Sequence, residues 1–315
     1  MKLTFSKLKL VNALFLYILI TTIFALPIQA QDDNQTGLSI SPVVFELNSD
    51  PSDSLTNQIK VYNPTDNPTN VKMLVEDFTP VGEEGQVVLE EPDENTTFSL
   101  ASWATITPEE FVLRPAEQQV VSFTINVPAN AEPGGHYGSI VAYISGGGSE
   151  TTGSSIGSKR GALVLLRVSG DIKENIIVNT FSTKSFQEKG PVEFDLKFEN
   201  TGNVHVRPAG FITITDTFGN QVVELEIPQN NVIPDAIRQA GTTWEDTNLI
   251  GRYTATLVAN YGTGSKQTIT SVTNFIVFPW KIGLIIGGII LVLLITLIKS
   301  RKRLSKAIKV LIGKS

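Results

Sequence analysis

The chain has no cysteine, two histidines and two methionines in 315 residues. Without cysteine there is no disulfide framework and no thiolate metal site or nucleophile. Two histidines, His136 and His205, cannot assemble a zinc site of ordinary spacing. Basic residues are also scarce where a nucleic-acid-binding surface would need them. Between Gln31 and Trp280 there are 14 Lys and Arg against all 31 Asp and Glu, a net of −17, whereas the whole chain is −6. That surface repels phosphate backbones, so nucleic acid is excluded as a partner. Acid, in turn, is missing beyond Trp280. An exported protein held without disulfides depends on its hydrophobic cores, a usage of bacterial rather than animal surfaces.

What is present begins with an export signal. Lys2, Lys7 and Lys9 precede the apolar run Val11–Leu26, and Ile28-Gln29-Ala30 follows Pro27. The order of charge, apolar stretch and small residue predicts a signal peptide over 1–30, with an uncleaved N-terminal anchor as the alternative. At the other end, Ile282–Ile298 is 17 residues without charge, about 25 Å of helix. With Lys281 snorkelling and Phe278 and Trp280 at the headgroup level, 281–299 is expected to be a transmembrane helix. Lys299, Arg301, Lys302, Arg303, Lys306, Lys309 and Lys314 follow it, so 300–315 is expected to be a basic cytoplasmic tail, either floppy or lying on the inner leaflet. Gly283 and Gly287 carry a small-xxx-small spacing that suits either helix pairing or ordinary membrane composition.

The intervening 250 residues lack helical periodicity. They alternate instead, as in Val121, Phe123, Ile125 and Val127, or Phe211 and Ile214 among threonines. Strand-sized runs broken by Gly, Pro and Asn predict an all-β fold of two tandem immunoglobulin-like β-sandwiches, 38–170 and 171–279. The halves repeat one plan. "QIKVYNPTDNPTNVKMLVEDF" and "DLKFENTGNVHVRPAGFITITD" each turn a corner at an asparagine, Asn63 and Asn200, whose side chain can bond local backbone. Gly135-x-Tyr137 and Gly251-x-Tyr253 each open a strand, and both tyrosines are expected to tie the preceding corner to their own sheet. Trp103 and Trp244 beside strands are read as core. The near absence of a linker at Gly170-Asp171 implies that the halves touch.

No chemistry emerges. Gly153-x-Ser155-x-Gly157 formally matches a hydrolase nucleophile motif, but it lies in a Gly/Ser stretch leading into a strand, without the helix or base it needs. Glu90, Glu91, Asp93, Glu94 and Asn95 could offer oxygen ligands to calcium, though a solvated acidic turn is the favoured reading. The sequons at Asn34 and Asn95 are read as chance. Catalytic, cofactor-binding and metal-binding residues are accordingly expected to be none, and no cofactor is expected. The partner-binding residues are unknown from sequence. The loop 145–161, long and rich in Gly and Ser, is weighed equally as a recognition element and as a spacer.

The stretch "SWATITPEEFVLRPAEQQVVSFTINVPANAEPGGHYGSIVAYI", with "ENTGNVHVRPAGFITITDTFGN", "NVIPDAIR", "GRYTATLVANYG" and "FPWK", resembles the bacterial WxL-interacting surface proteins. More distantly, the first half resembles the immunoglobulin-like sandwich of pilus chaperones. The family resemblance implies two immunoglobulin-like domains outside the cell, a C-terminal membrane helix, and roles in binding peptidoglycan, other surface proteins or host matrix. The opening "LSISPVVFELNSDPSDSLTNQIKVYN" is shorter than the family's and unlike it, so peptidoglycan binding is not carried over, nor is any binding residue. The resulting expectation is a non-enzymatic, membrane-anchored surface protein that binds or scaffolds an extracytoplasmic partner: an extracytoplasmic protein of the envelope, a cell-wall polysaccharide or a neighbouring cell. The alternative is an envelope assembly factor with chaperone-like strand donation.

Overall fold

The computed structural model describes residues 37–91, 98–144, 158–264 and 266–311, with side chains as far as Arg301. The expected signal peptide, Ser155, Asp93 to Asn95 of the acidic turn and most of the loop 145–161 lie outside the described residues. The chain is mostly β-strand in antiparallel-dominated sheets, followed by one apolar helix.

The first half carries β1 (Ser39–Ser41), β2 (Val44–Ser49), β3 (Ser54–Tyr62), β4 (Thr69–Val81), β5 (Gln86–Glu90), β6 (Ala104–Thr107), β7 (Glu110–Leu113), β8 (Gln118–Asn126), β9 (Gly134–Ile144) and β10 (Ser158–Val168). They form one sheet in the order β1-β3-β8-β6 and a second in the order β2-β10-β9-β4-β5, with β7 also on β4. The inward rows Ile59 and Val61 of β3 and Val121, Phe123 and Ile125 of β8 meet Met73, Ile140, Val164 and Leu166 of the facing sheet in one core. This is the period-two alternation read in the sequence, converted into a two-layer packing.

The second half carries β11 (Ile176–Ser182), β12 (Phe186–Gln187), β13 (Val192–Asn200), β14 (Ala209–Thr215), β15 (Gln221–Glu226), β16 (Ile237–Gln239), β17 (Thr242–Trp244), β18 (Gly251–Tyr261) and β19 (Gln267–Val277). One sheet runs β11-β13-β16, with β17 also on β13, and the other runs β12-β19-β18-β14-β15. Val192, Phe194, Leu196 and Phe198 of β13 pack against Ile212, Ala255, Leu257 and Phe275 in a separate core. Trp244 is buried there, edge-on to Tyr253 at 5.3 Å, and Trp103 packs at the rim of the first core. Helix α1 (Trp280–Leu311) begins three residues after β19, and its segment Trp280–Arg301 is long and apolar enough to cross a membrane.

The asparagine corners recur in three dimensions. Asn63 is fully buried; its Nδ2 donates to the carbonyls of Asn67, Leu113 and Arg114, and its Oδ1 accepts from the backbone N–H of Thr65. Asn200 repeats this, donating to Val204 and Val232 at 2.8 Å each and accepting from Gly202.

One strand is shorter in expectation than in the fold. Ser158–Gly161, read as the end of a loop, already belong to β10 and pair with Val141–Ile144 of β9. The ladder is made by backbone groups, so a Ser-Lys-Arg-Gly run joins it despite its composition.

Candidate partner-binding surface

The two halves meet on the outer face of the β2-β10-β9-β4-β5 sheet. From Gly134 to Ala142, β9 is buried without alternation, because both its faces are covered. Phe78, Tyr137 and Leu165 form a third apolar cluster there, joined by Phe98 and Leu163 and by Ile233 from the second half. Tyr137 departs from its expected role. Its hydroxyl accepts the backbone N–H of His205 at 2.8 Å instead of tying a corner of its own sheet. Tyr253 does behave as expected, donating to the carbonyl of Ile250 at 3.2 Å. Gly135 makes room for this placement of the ring. The phenol folds back so closely that a Cβ at 135 would lie 1.9 Å from its oxygen, while the Gly135 N–H donates to the carbonyl of Asn203 at 2.7 Å.

Polar groups complete the junction. Arg167 pairs with Glu174 at 2.6 Å, and Thr263 donates to the same carboxylate from its N–H and its hydroxyl. Burial pushes the Glu174 carboxyl up, but the Arg167 and Thr263 hydrogen bonds together hold it below its ordinary range. Glu46 of β2 receives Arg207 and, at 2.8 Å, Asn231. Burial pushes His205 down to about 4, so its ring is neutral near neutral pH and can accept from the Tyr137 hydroxyl at 3.4 Å. Burial also holds the proton on the Tyr137 phenol well above its usual range. His136, the other histidine, is buried between the carbonyls of Ser99 and Glu132 and lies tilted against Trp103, with ring centroids 4.3 Å apart. Among the described residues no hydrogen bond joins a histidine ring to a Ser or Thr hydroxyl, and no group of three His, Asp or Glu could hold a metal. Glu90 accepts from Thr79 at 3.0 Å.

An open groove of about 1210 Å³ starts at this junction and runs over the outer face of the β11-β13-β16 sheet. The turn between β4 and β5 forms its upper wall. There Glu83 pairs with Lys197 at 2.6 Å, and the Glu83 carbonyl accepts from the N–H of Gln239 at 2.7 Å. The Glu83 carboxylate holds the Lys197 ammonium above its ordinary range. The neighbouring Gly85 has φ +83° and lies against the Arg238 guanidinium, so the turn is clasped to the second half by backbone and side chain together. Lys184, Lys189, Glu193 and Asp195 line the rest of the groove. Outward positions 193, 195 and 197 of β13 supply charges of both signs, while 192, 194 and 196 face the core. Asp195 Oδ1 and Gln187 Nε2 are buried without a hydrogen-bond partner. The groove thus presents an acceptor, a donor and mixed charge at a sheet face. Sequence reading missed it because its two walls lie more than 100 residues apart in the chain. The alternating Glu193-x-Asp195-x-Lys197 was the only local signal.

No family model matches the chain, and no curated protein matches it. Among solved structures, the chain is similar to the class 5 fimbriae chaperone CfaA, at 13% identity and a TM-score of 0.40, with 75% of this chain and 99% of that one covered. It is similar to a chain of the CsuC–CsuE chaperone–tip adhesion subunit complex of Acinetobacter baumannii, at 10% identity and a TM-score of 0.35, covering 64% and 89%. A chain from the Salmonella enterica SafA pilin complex with the SafB chaperone matches at 12% identity and a TM-score of 0.34, covering 75% and 96%.

Proposed function

We propose that this chain is a non-enzymatic, membrane-anchored envelope protein of the kind its sequence resembles. In this reading 38–170 and 171–279 are immunoglobulin-like domains outside the cell, and α1 carries the chain through the membrane to a basic cytoplasmic tail. The two domains act as one body that holds an extracytoplasmic protein or cell-wall polysaccharide in the groove between Glu83 and Lys189. One observation carries the proposal: the groove is walled by both halves, and the junction that shapes it is packed with apolar groups and bonded on either side. A rigid scaffold with open, mixed-charge relief suits recognition.

A photo-crosslinking amino acid placed at Lys184 or Thr243 of the full chain in its native envelope tests this. The expected outcome is a discrete adduct at each position, and the Thr243 adduct disappears when Lys184 and Lys189 are both changed to Glu, with expression and melting unchanged. The absence of any adduct at either position would remove the groove from consideration.

The assembly-factor reading has its own observation. β10 extends five residues beyond its last ladder partner on β2, Leu163↔Val44, so 158–162 offers backbone groups on that side with no ladder partner among the described residues. Such an edge can accept a strand from another chain. A crosslinker at Arg160 that captures a partner, with none captured at Lys184, would favour this reading over the first.

A further inference from the structure

The end of the second half that leads into α1 carries an unusual set of side chains. Strand β19 runs toward this end and stops at Val277, opposite Gly251 at the start of β18. Strand β14 runs the same way and turns at 216–220 beside β18, where the Thr217 hydroxyl donates to the carbonyl of Arg252 at 3.1 Å. The 216–220 turn, two strands or about 10 Å across the sheet, and the residue before β18, one strand away, therefore sit level with the last residues of β19. At these tips Phe218 is 88% exposed and Ile250 is 65% exposed. Phe186, paired with Ile276, and the following Phe278 and Trp280 are exposed beside them. Single exposed apolar residues need no explanation, but six gathered at one end do.

The 216–220 turn is rigid. Asp216 Oδ1 accepts the backbone N–H groups of Phe218 at 2.8 Å and Asn220 at 2.9 Å, and Oδ2 accepts from the Asn220 side chain. The phenyl ring is therefore held out in solvent by a prebuilt turn rather than left there by a slack one. The contacts with the first half lie at the opposite end, since Arg167 of the first half pairs with Glu174, which in turn holds Thr263 beyond Tyr261↔Gln267. The long ladder between them spans about 33 Å.

We propose that this end of the second half is a lipid-contact surface, with the tips Phe218 and Ile250 seated among the headgroups of the bilayer that α1 crosses. The inference rests on the reading of α1 as a membrane span. What covers the tips follows from chain continuity: α1 starts three residues after Val277, so a bilayer around the helix brings its headgroup layer to this end. Aromatic and aliphatic tips are the groups that partition into that layer, and interfacial elements enter it by roughly 5–10 Å. Arg252, exposed in the row of Ile276 and Phe186, adds a cation facing the phosphates, while Glu245 and Asp246 are exposed on the connection leading to Ile250. Seating three points of the domain, rather than one flexible joint, would hold the body upright with the groove open to the side and the first half farthest from the membrane.

The cysteine-free chain allows a direct test. Single substitutions Phe218→Cys, Ile250→Cys, Phe211→Cys and Ile290→Cys in the full chain are labelled with a nitroxide. The proteins are reconstituted into vesicles of phosphatidylethanolamine and phosphatidylglycerol. Collision with oxygen is then compared with collision with a water-soluble nickel chelate. The expected result is oxygen-dominated relaxation at Ile290, Phe218 and Ile250, and nickel-dominated relaxation at Phe211, which is exposed on the sheet away from this end. Nickel-dominated relaxation at Phe218 or Ile250, with Ile290 in lipid, overturns the inference while leaving the anchor intact. Nickel-dominated relaxation at Ile290 overturns the anchor reading and the inference with it.

Discussion

Tyr137 and His205 are joined across the two halves of the chain, with the phenol oxygen 2.8 Å from the histidine backbone N–H. The equivalent tyrosine of the second half, Tyr253, spends its hydroxyl on its own corner. Two copies of one local plan have thus diverged in use. One stabilises its own half and the other fastens the two halves.

Tyr137→Phe should therefore weaken the junction. It leaves an N–H without its partner in a part-buried site, a loss of about 1–3 kcal/mol. The expected readout is a lower denaturation midpoint of the detergent-solubilised full chain. Tyr253→Phe should instead destabilise through its own core, and the two effects should add, because the sites share no partner.

Acid should loosen the same junction. His205 titrates near 4 in the fold, against an ordinary 6.5. Between those values the unfolded chain takes up a proton that the folded chain refuses, so stability is full above 6.5 and declines as pH falls toward 4. The shift corresponds to at most ~3 kcal/mol. The Glu174 contribution, with its carboxyl held below 4.5, is retained above that value and is lost only at lower pH. In melting measured from pH 7 to 4.5, His205→Gln should flatten the slope of the native protein. An unchanged slope would assign it to other groups.

Gly85→Ala tests the clasp between the β4–β5 turn and Arg238. The position has φ +83°, and the added methyl would overlap the guanidinium. Left-handed backbone alone costs a non-glycine residue about 1–2 kcal/mol. The expected outcome is loss of at least that much stability, with partial rescue by Arg238→Ala, which removes the overlapping group.

The asparagine corners give the strongest local prediction. Asn200→Asp replaces a donor facing two carbonyl oxygens with a negative charge, and should be worse than Asn200→Ala at neutral pH. A buried unpaired polar group costs about 1–3 kcal/mol and a buried charge more. The same ranking should hold at Asn63, measured by equilibrium unfolding. Equal stability of the Asp and native proteins would mean that the donor is dispensable.

Much of this molecule is legible without coordinates, because it is local. Alternation at Val121, Phe123 and Ile125 places three side chains on one face whatever the partner sheet. Asparagine bonds backbone within a few residues, so Asn63 and Asn200 announce their corners. Seventeen uncharged residues beside a basic tail announce a helix of membrane length. Tertiary structure decided the rest. Tyr137 and Tyr253 share the Gly-x-Tyr pattern and differ because the approach of Asn203 and His205 draws one hydroxyl across the junction. Glu83 and Lys197 meet to shape a groove, and Phe218 and Ile250 come level with the root of α1, only after the sheets have formed. These pairings join residues tens to more than a hundred positions apart. A contact at that separation is fixed by strand register and packing, to which no short window of sequence has access.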